Sequence, residues 1–362
     1  MASSGATARD ACRDTGFASA TTEADSEELV AHLTQDLQAD CRSAVYRVVE
    51  FFKDPAGPQH IDAGERFRRL HAFFYDRPWA AVADRLRYAQ QVLRLTDARG
   101  RDLLEMGAGY GITAIFYVLC GAGTVASLDI DREFGPVLSR WLSALQLEAV
   151  PIWPCEGDAA NLGLKSGALD LVTADGMLSH VPDLDATLCE ARRVLKPGGR
   201  LYVQDENNAL IAEGRIRRRR GKWADHEKRH RQQRAEILRH KMPDLGADEL
   251  TRLAERTRGL LAAEVVAVAR GAPAPRLVTA APRDPVTGIY VEREFSPLWL
   301  RRQIESKGFD ARLVPVFVPA ACARPASPFL ARLKLKAKLA VTRRPTLAMF
   351  LIDSMRMVAT AV

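Results

Sequence analysis

The chain has 362 residues, room for one large domain or two ordinary ones, and an apolar fraction of 47% supports a packed core. Its net charge of +7 is unevenly placed: residues 211–241 hold twelve Lys/Arg against four Asp/Glu, and residues 324–362 hold eight against one, so the rest is net acidic. No run of about 18 uncharged apolar residues occurs, which argues against a spanning helix, and the N-terminal residues lack the apolar stretch of a secretory signal.

Residues 1–26 are rich in Ala, Ser, Thr, Gly and Asp and are expected to lack fixed structure. Residues 27–98 read as a helical region. VYRVVEFF (45–52) and WAAVADRLRYAQQVL (79–93) both place apolar side chains at i, i+3, i+4 and i+7. The pattern then changes. RDLLEM (101–106) reads as a buried strand, followed by a glycine turn and a helix, ITAIFYVLC. Further strands are expected at TVASLDI (124–130), VPIWP (150–154), LDLVTA (169–174) and RLYVQ (200–204). Strands alternating with helices specify an α/β fold, a mostly parallel open sheet covered on both faces. The alternation defines a core over 99–208. A long, highly charged helical insertion or cap follows over 209–285, and the core resumes over 286–362. There SPLWLRRQIESKG is a helix closed by Gly308, and ARLVPVFV (311–318) is a strand.

LLEMGAGYG (103–111) ends a strand, turns on Gly107, Gly109 and Gly111, and opens a helix. Glycine accepts positive φ and lets a ligand approach the main chain. A dinucleotide fingerprint would need its third glycine at position 112, which is Ile. Four other stretches sit in order behind this one: SLDID (127–131), GDAANL (157–162), LDLVTADGMLSHVPD (169–183) and RRVLKPGGRLYV (192–203). Together, over about residues 100–205, they resemble the class I S-adenosylmethionine-dependent methyltransferases. The resemblance implies a Rossmann-like, seven-stranded sheet of order 3-2-1-4-5-7-6, a methylation activity (transferase class) and S-adenosyl-L-methionine as cofactor. It also implies roles. Gly107, Gly109 and Gly111 would carry the methionine part, and Asp129 would accept from both ribose hydroxyls. Asp158 and the Ala159 backbone N–H would meet the adenine. Glu105 would hold the loop or face the ammonium through water.

Candidates for a base near the methyl acceptor lie past the fourth and fifth strands: Asp175, His180, Asp205 and Glu206. His180 could equally shape the cofactor pocket, and DENN (205–208) could simply cap a loop. ADGML (174–178) stands where amino-methylating enzymes of nucleic-acid bases carry Asn/Asp-Pro-Pro-aromatic. That argues against N-methylation of nucleic-acid bases and leaves other RNA or protein substrates open. The expected acceptor is a small molecule or a glycan- or lipid-linked intermediate, methylated at oxygen. The alternatives are an RNA or protein acceptor engaging the basic segment, or a cofactor-binding module with little catalysis. RIRRRR (215–220) either faces solvent or meets an anionic partner. HEKRH (226–230) matches a zinc-protease pattern, but its helix is charged and a third ligand is not evident, so no metal is expected. In the tail, LAMFLID (347–353) is expected to be the last strand, with a peripheral membrane contact as the competing reading. Six scattered cysteines without a CxxC pair read as free thiols in a reducing cytoplasm.

Overall fold

The computed structural model describes residues 22–54, 56–57, 61, 67–68, 71–206, 213–275, 277, 279, 281–316, 340–341, 344 and 354–362, with backbone only at 206 and 213–222. Among the described residues, four helices come first: α1 (Glu23–Leu33), α2 (Ala39–Lys53), α3 (Ala72–Asp76) and α4 (Pro78–Thr96). α1 begins inside the segment expected to lack structure. The composition there is polar, but Thr22 and Asp25 form a capping box: the Thr22 hydroxyl accepts the Asp25 N–H at 3.0 Å and Asp25 accepts the Thr22 N–H at 2.9 Å. Two orphan N–H groups are thereby satisfied, and a short polar sequence can start a helix. Glu23 then ties this start to α4, accepting the Trp79 N–H at 3.1 Å.

The core alternates β1 (Leu103–Met106), α5 (Ile112–Leu119), β2 (Val125–Asp129), α6 (Phe134–Ala144), β3 (Ile152–Glu156), β4 (Leu169–Asp175), α7 (Leu184–Val194) and β5 (Leu195–Glu206). After the insertion come α11 (Pro297–Glu305), β6 (Phe309–Leu313) and β7 (Ser354–Ala361). The seven strands form one open sheet of order β3-β2-β1-β4-β5-β7-β6. The pairs from β3 across to β5 are parallel, and β7 runs antiparallel between β5 and β6. This is the Rossmann-like sheet.

Side-chain alternation assigns the two faces. Leu103, Val125, Leu171, Tyr202 and Val358 join the core beneath α1, α2, α4, α5 and α6. Leu104, Met106, Val172, Leu201, Val203, Met357 and Ala359 join the second core, beneath α7 and α11.

The last strand is not where LAMFLID placed it. It is SMRMVATA, paired with β5 from Arg200↔Thr360 to Glu206↔Ser354; residues 347–353 and most of the basic stretch before them lie outside the described residues. β7 carries a charged residue, Arg356. It is 1% exposed, yet its guanidinium donates to the Tyr202 hydroxyl, Gln91 Oε1 and Pro315 O, and lies against the rings of Tyr88 and Tyr202. Paired in this way, a charged residue fits inside a sheet.

The insertion holds α8 (Glu213–Lys241), α9 (Ala247–Arg256) and α10 (Ala262–Ala269). Leu238, Leu260, Val265 and Val268 give it a small core of its own. Among the described residues no helix is long and apolar enough to cross a membrane.

Candidate active site

The glycine turn sits at the carboxyl edge of β1, and its three glycines differ in surroundings. All have positive φ: 72° at Gly107, 60° at Gly109 and 76° at Gly111. A Cβ at Gly107 would come within 2.5 Å of Met177 Cβ, and one at Gly111 within 2.7 Å of the Leu138 side chain. These two positions are closed by packing against the loop after β4 and against α6. A Cβ at Gly109 meets nothing within 4 Å. That is the face of the turn open to a ligand.

Asp129 holds the turn directly, and Asp158 and Glu105 lie on the neighbouring β3 loop and on β1. Asp129, at the end of β2, accepts the Gly109 N–H at 2.8 Å through Oδ2 and the Asp131 N–H at 3.0 Å through Oδ1. It therefore holds the turn, and each oxygen keeps a further lone pair for another donor. Asp158, in the loop after β3, accepts the Ala160 N–H at 2.9 Å, while Ala159 beside it is buried. Glu105 is 5% exposed and accepts from Ser127 Oγ at 3.2 Å. Burial raises its carboxyl to about 8, with Ser127 and Arg85 opposing and Asp175 and Asp129 adding to the rise.

The loop between β4 and α7 carries the base candidates. Asp175 accepts Gln204 Nε2–H at 3.0 Å and lies 3.9 Å from Arg85 Nη1. Behind Gln204 stands a directional chain: Arg356 Nε–H donates to Tyr202, whose hydroxyl donates to Gln204 Oε1 at 3.3 Å. Asp175 is thus oriented from β7 through β5. His180 points its Nδ1 at the Tyr290 carbonyl, 2.9 Å away. The Glu292 N–H also lies 3.5 Å from Nδ1, but one nitrogen cannot donate and accept at once, and the shorter contact decides: Nδ1 carries the proton. Nε2 is then left with its lone pair. Asp205 is buried and accepts the Ser179 N–H at 3.0 Å, so it braces the loop. Glu206 ends β5 opposite Ser354; its side chain lies outside the described residues.

The region following the insertion closes on this loop. The Tyr290 N–H donates to His180 O and the Arg293 N–H to Ser179 O. Arg293, 8% exposed, donates Nη2–H to Leu178 O and Val181 O at 3.0 and 2.7 Å and stacks on Tyr290 and Phe295. Trp223 of α8 packs with Ala281 and Tyr290. Arg293, Met177, Gln204 and Arg85 were absent from the sequence candidates. YVEREF holds no recognisable signal for a clamp whose targets lie more than a hundred residues upstream.

HEKRH is occupied differently. Arg229 Nη2 lies 2.9 Å from His226 Nδ1, and Glu227 pairs with Arg234 at 2.5 Å and with Arg258 at 3.5 Å. Among the described residues no group of three His, Cys, Asp or Glu could hold a metal ion.

An open α/β sheet with a ligand-accessible glycine turn and acids on successive strand ends defines a nucleotide-type cofactor site at the carboxyl edge. Residues 104–203 match a family model described as a methyltransferase domain. Over this core the chain is similar to the class I S-adenosylmethionine-dependent methyltransferases. It is 34% identical over 119 residues to an uncharacterized 37.1 kDa protein in transposon TN4556 of Streptomyces fradiae, covering 32% of this chain and 33% of that protein. A ubiquinone/menaquinone biosynthesis C-methyltransferase, UbiE, of Acidiphilium cryptum is 32% identical over 112 residues, 31% of this chain and 45% of that protein. A ubiquinone biosynthesis O-methyltransferase of Pectobacterium atrosepticum is 32% identical over 123 residues, 34% and 49% respectively. The chain spans between a third and a half of the length of these relatives.

Proposed function

We propose that this chain binds S-adenosylmethionine at the turn of residues 107–111 and transfers its methyl group to a small-molecule or glycan- or lipid-linked acceptor, at oxygen. The observation that carries the reading is the open face of Gly109, whose N–H is held by Asp129 at the end of β2, inside the segment that matches the family model. The residues suit the cofactor: Asp129 keeps lone pairs for two hydroxyl donors, Asp158 lies beside the buried Ala159, and Glu105 is a buried acid that a cation would complement. The cofactor would supply an activated methyl group. The chain's own part is to position the acceptor and accept its proton.

Asp175 is the leading base candidate because the Arg356–Tyr202–Gln204 chain fixes its carboxylate at the carboxyl edge. The Nε2 lone pair of His180 is the second, and Glu206 ends the neighbouring strand. The segment after the cap closes on the β4–α7 loop through Tyr290 and Arg293, and Trp223 of the cap packs on Tyr290, which supports an acceptor held between cap and sheet.

The test is thermal denaturation with ligands. S-adenosylmethionine or S-adenosylhomocysteine should raise the melting temperature, because a ligand that binds only the folded state stabilises it. Asp129→Ala should weaken binding by about 1–3 kcal/mol, the cost of an unmet polar partner. A shift with nicotinamide cofactors and none with S-adenosylmethionine would overturn the reading. Products from a methyl-labelled donor, sorted into small-molecule, RNA and protein fractions, assign the acceptor class; label in RNA or protein would favour an acceptor on the basic segment.

A further inference from the structure

Asp175 uses its two carboxylate oxygens differently. Oδ1 accepts Gln204 Nε2–H at 3.0 Å, while Oδ2 faces Arg85 Nη1 across 3.9 Å. That gap is too long for a hydrogen bond, and an oxygen about 2.8 Å from each atom would bridge it. A cation that only neutralises an acid closes further, as Lys196 does on Asp170 at 2.8 Å. Both side chains can be reached from solvent, Arg85 at 36% and Asp175 at 25% exposed. Both are also held in place. The Arg356–Tyr202–Gln204 chain fixes Asp175, and the Arg85 guanidinium lies 5.9 Å from the Tyr88 ring, which meets Tyr202 edge to face. Ala174 pairs in register with Met106, so Asp175 adjoins Gly107, the first glycine of the turn. Arg85 comes from α4, outside the segment that matches the family model.

We propose that Arg85 and Asp175 together cradle the oxygen of an acidic hydroxyl, a phenol or an enol, and that Arg85 is a catalytic residue for its methylation. The inference rests on the methyl-transfer reading above and names the acceptor class. The acceptor O–H donates to Asp175 Oδ2. As its proton passes to Oδ2, the charge growing on the oxygen meets the Arg85 N–H across the same gap. The O–H bond breaks, the oxygen–methyl bond forms, and the methyl–sulfur bond breaks with its electron pair left on sulfur. Asp175 then returns the proton to solvent. A guanidinium keeps its own protons, so the two groups divide the roles: one takes the proton and the other faces the charge. The base selects the acceptor. Carboxylates as a class are weak bases, while a phenol ionises near 10, as tyrosine does, and an alcohol resembles bulk water at about 16. Transfer to a carboxylate is far less uphill from the phenol, and a conjugated ring spreads the negative charge away from Asp175.

The probe is 4-nitrophenol, whose ionised form absorbs visible light. It is titrated into the full chain with S-adenosylhomocysteine bound, at a pH just below the probe's own ionisation. In Asp175→Asn no carboxylate opposes the oxyanion and Arg85 remains, so the ratio of ionised to neutral probe should rise by about ten-fold on binding. Adding Arg85→Met should erase that rise, and adding Arg85→Lys should keep part of it. S-adenosylhomocysteine binding in each variant shows that it folds. Transfer from methyl-labelled S-adenosylmethionine gives a second readout. The wild type should methylate phenol and 4-nitrophenol and leave cyclohexanol untouched. Asp175→Asn should lose about 10²–10³-fold on phenol and far less on 4-nitrophenol, which ionises without a base. A purely structural role for Asp175 lowers both equally. A probe that does not bind, an unchanged ionised fraction, equal losses on the two phenols, or transfer to cyclohexanol at the phenol rate overturns the inference; bound S-adenosylhomocysteine then leaves the cofactor reading standing. Failure of S-adenosylhomocysteine and S-adenosylmethionine to bind the wild type overturns the two together.

Discussion

His71 shows how a titratable side chain is recruited into a core. It is 6% exposed and surrounded by Phe52, Phe67, Phe74, Tyr110 and Trp141. Its Nδ1 donates to the Phe67 carbonyl at 3.0 Å. Burial lowers the imidazole from 6.5 to about 4; the Phe67 carbonyl opposes this and the Arg85 charge adds to it. Above 6.5 both folded and unfolded chains hold it neutral. Between 6.5 and 4 only the unfolded chain takes up the proton, so stability falls as pH falls through that window and then levels off. The contribution reaches ~3 kcal/mol. Urea unfolding between pH 7 and pH 4 should show the decline, and His71→Phe should flatten it. An equally steep decline in His71→Phe would assign the loss to other groups. Because His71 lies 6.0 Å ring to ring from Tyr110, the acid-sensitive core adjoins the glycine turn.

Arg293 joins two segments that neither helix periodicity nor strand alternation would pair. Its two Nη2 bonds satisfy the Leu178 and Val181 carbonyls of the β4–α7 loop, and its backbone N–H satisfies Ser179 O. Arg293→Met keeps length and apolar stem but leaves two carbonyls without their donor, at about 1–3 kcal/mol each. Amide hydrogen exchange should then quicken at 177–182 and 281–295 while β2 stays protected; unchanged exchange in both segments would refute the clamp. Other elements were open to reading. α2 and α4 are strongly periodic because one face of each packs into the core on one side of the sheet, and β1 is a short apolar run because both its faces are covered. Only the start of α1 was not legible, since it depends on the reciprocal Thr22–Asp25 bonds and on Glu23 reaching Trp79, fifty-six positions away.

β7 decides whether the sheet closes. It supplies both neighbours' pairing, to β5 on one side and β6 on the other, and buries Met355, Met357, Ala359 and Ala361 on one face and Arg356 and Val358 on the other. A chain ending at residue 353 leaves β6 without a partner and opens both cores. It should be insoluble, or lose its near-ultraviolet circular dichroism and its cooperative melt; a soluble truncation that still melts cooperatively would contradict this. The strand, glycine turn and helix of 103–119 could be read from the amino-acid order, because they are contiguous; the strand order came from the resemblance of five motifs and is the order the sheet has. The rest required folded contacts. Which glycine stays open depends on Met177 and Leu138, far along the chain. Whether Arg356 breaks a strand or anchors one depends on Tyr202 and Gln91. What fixes the proton on His180 depends on Tyr290, 110 positions away. Charge and hydrogen-bond satisfaction are properties of neighbours in space, and a linear pattern carries them only where those neighbours are also adjacent in sequence.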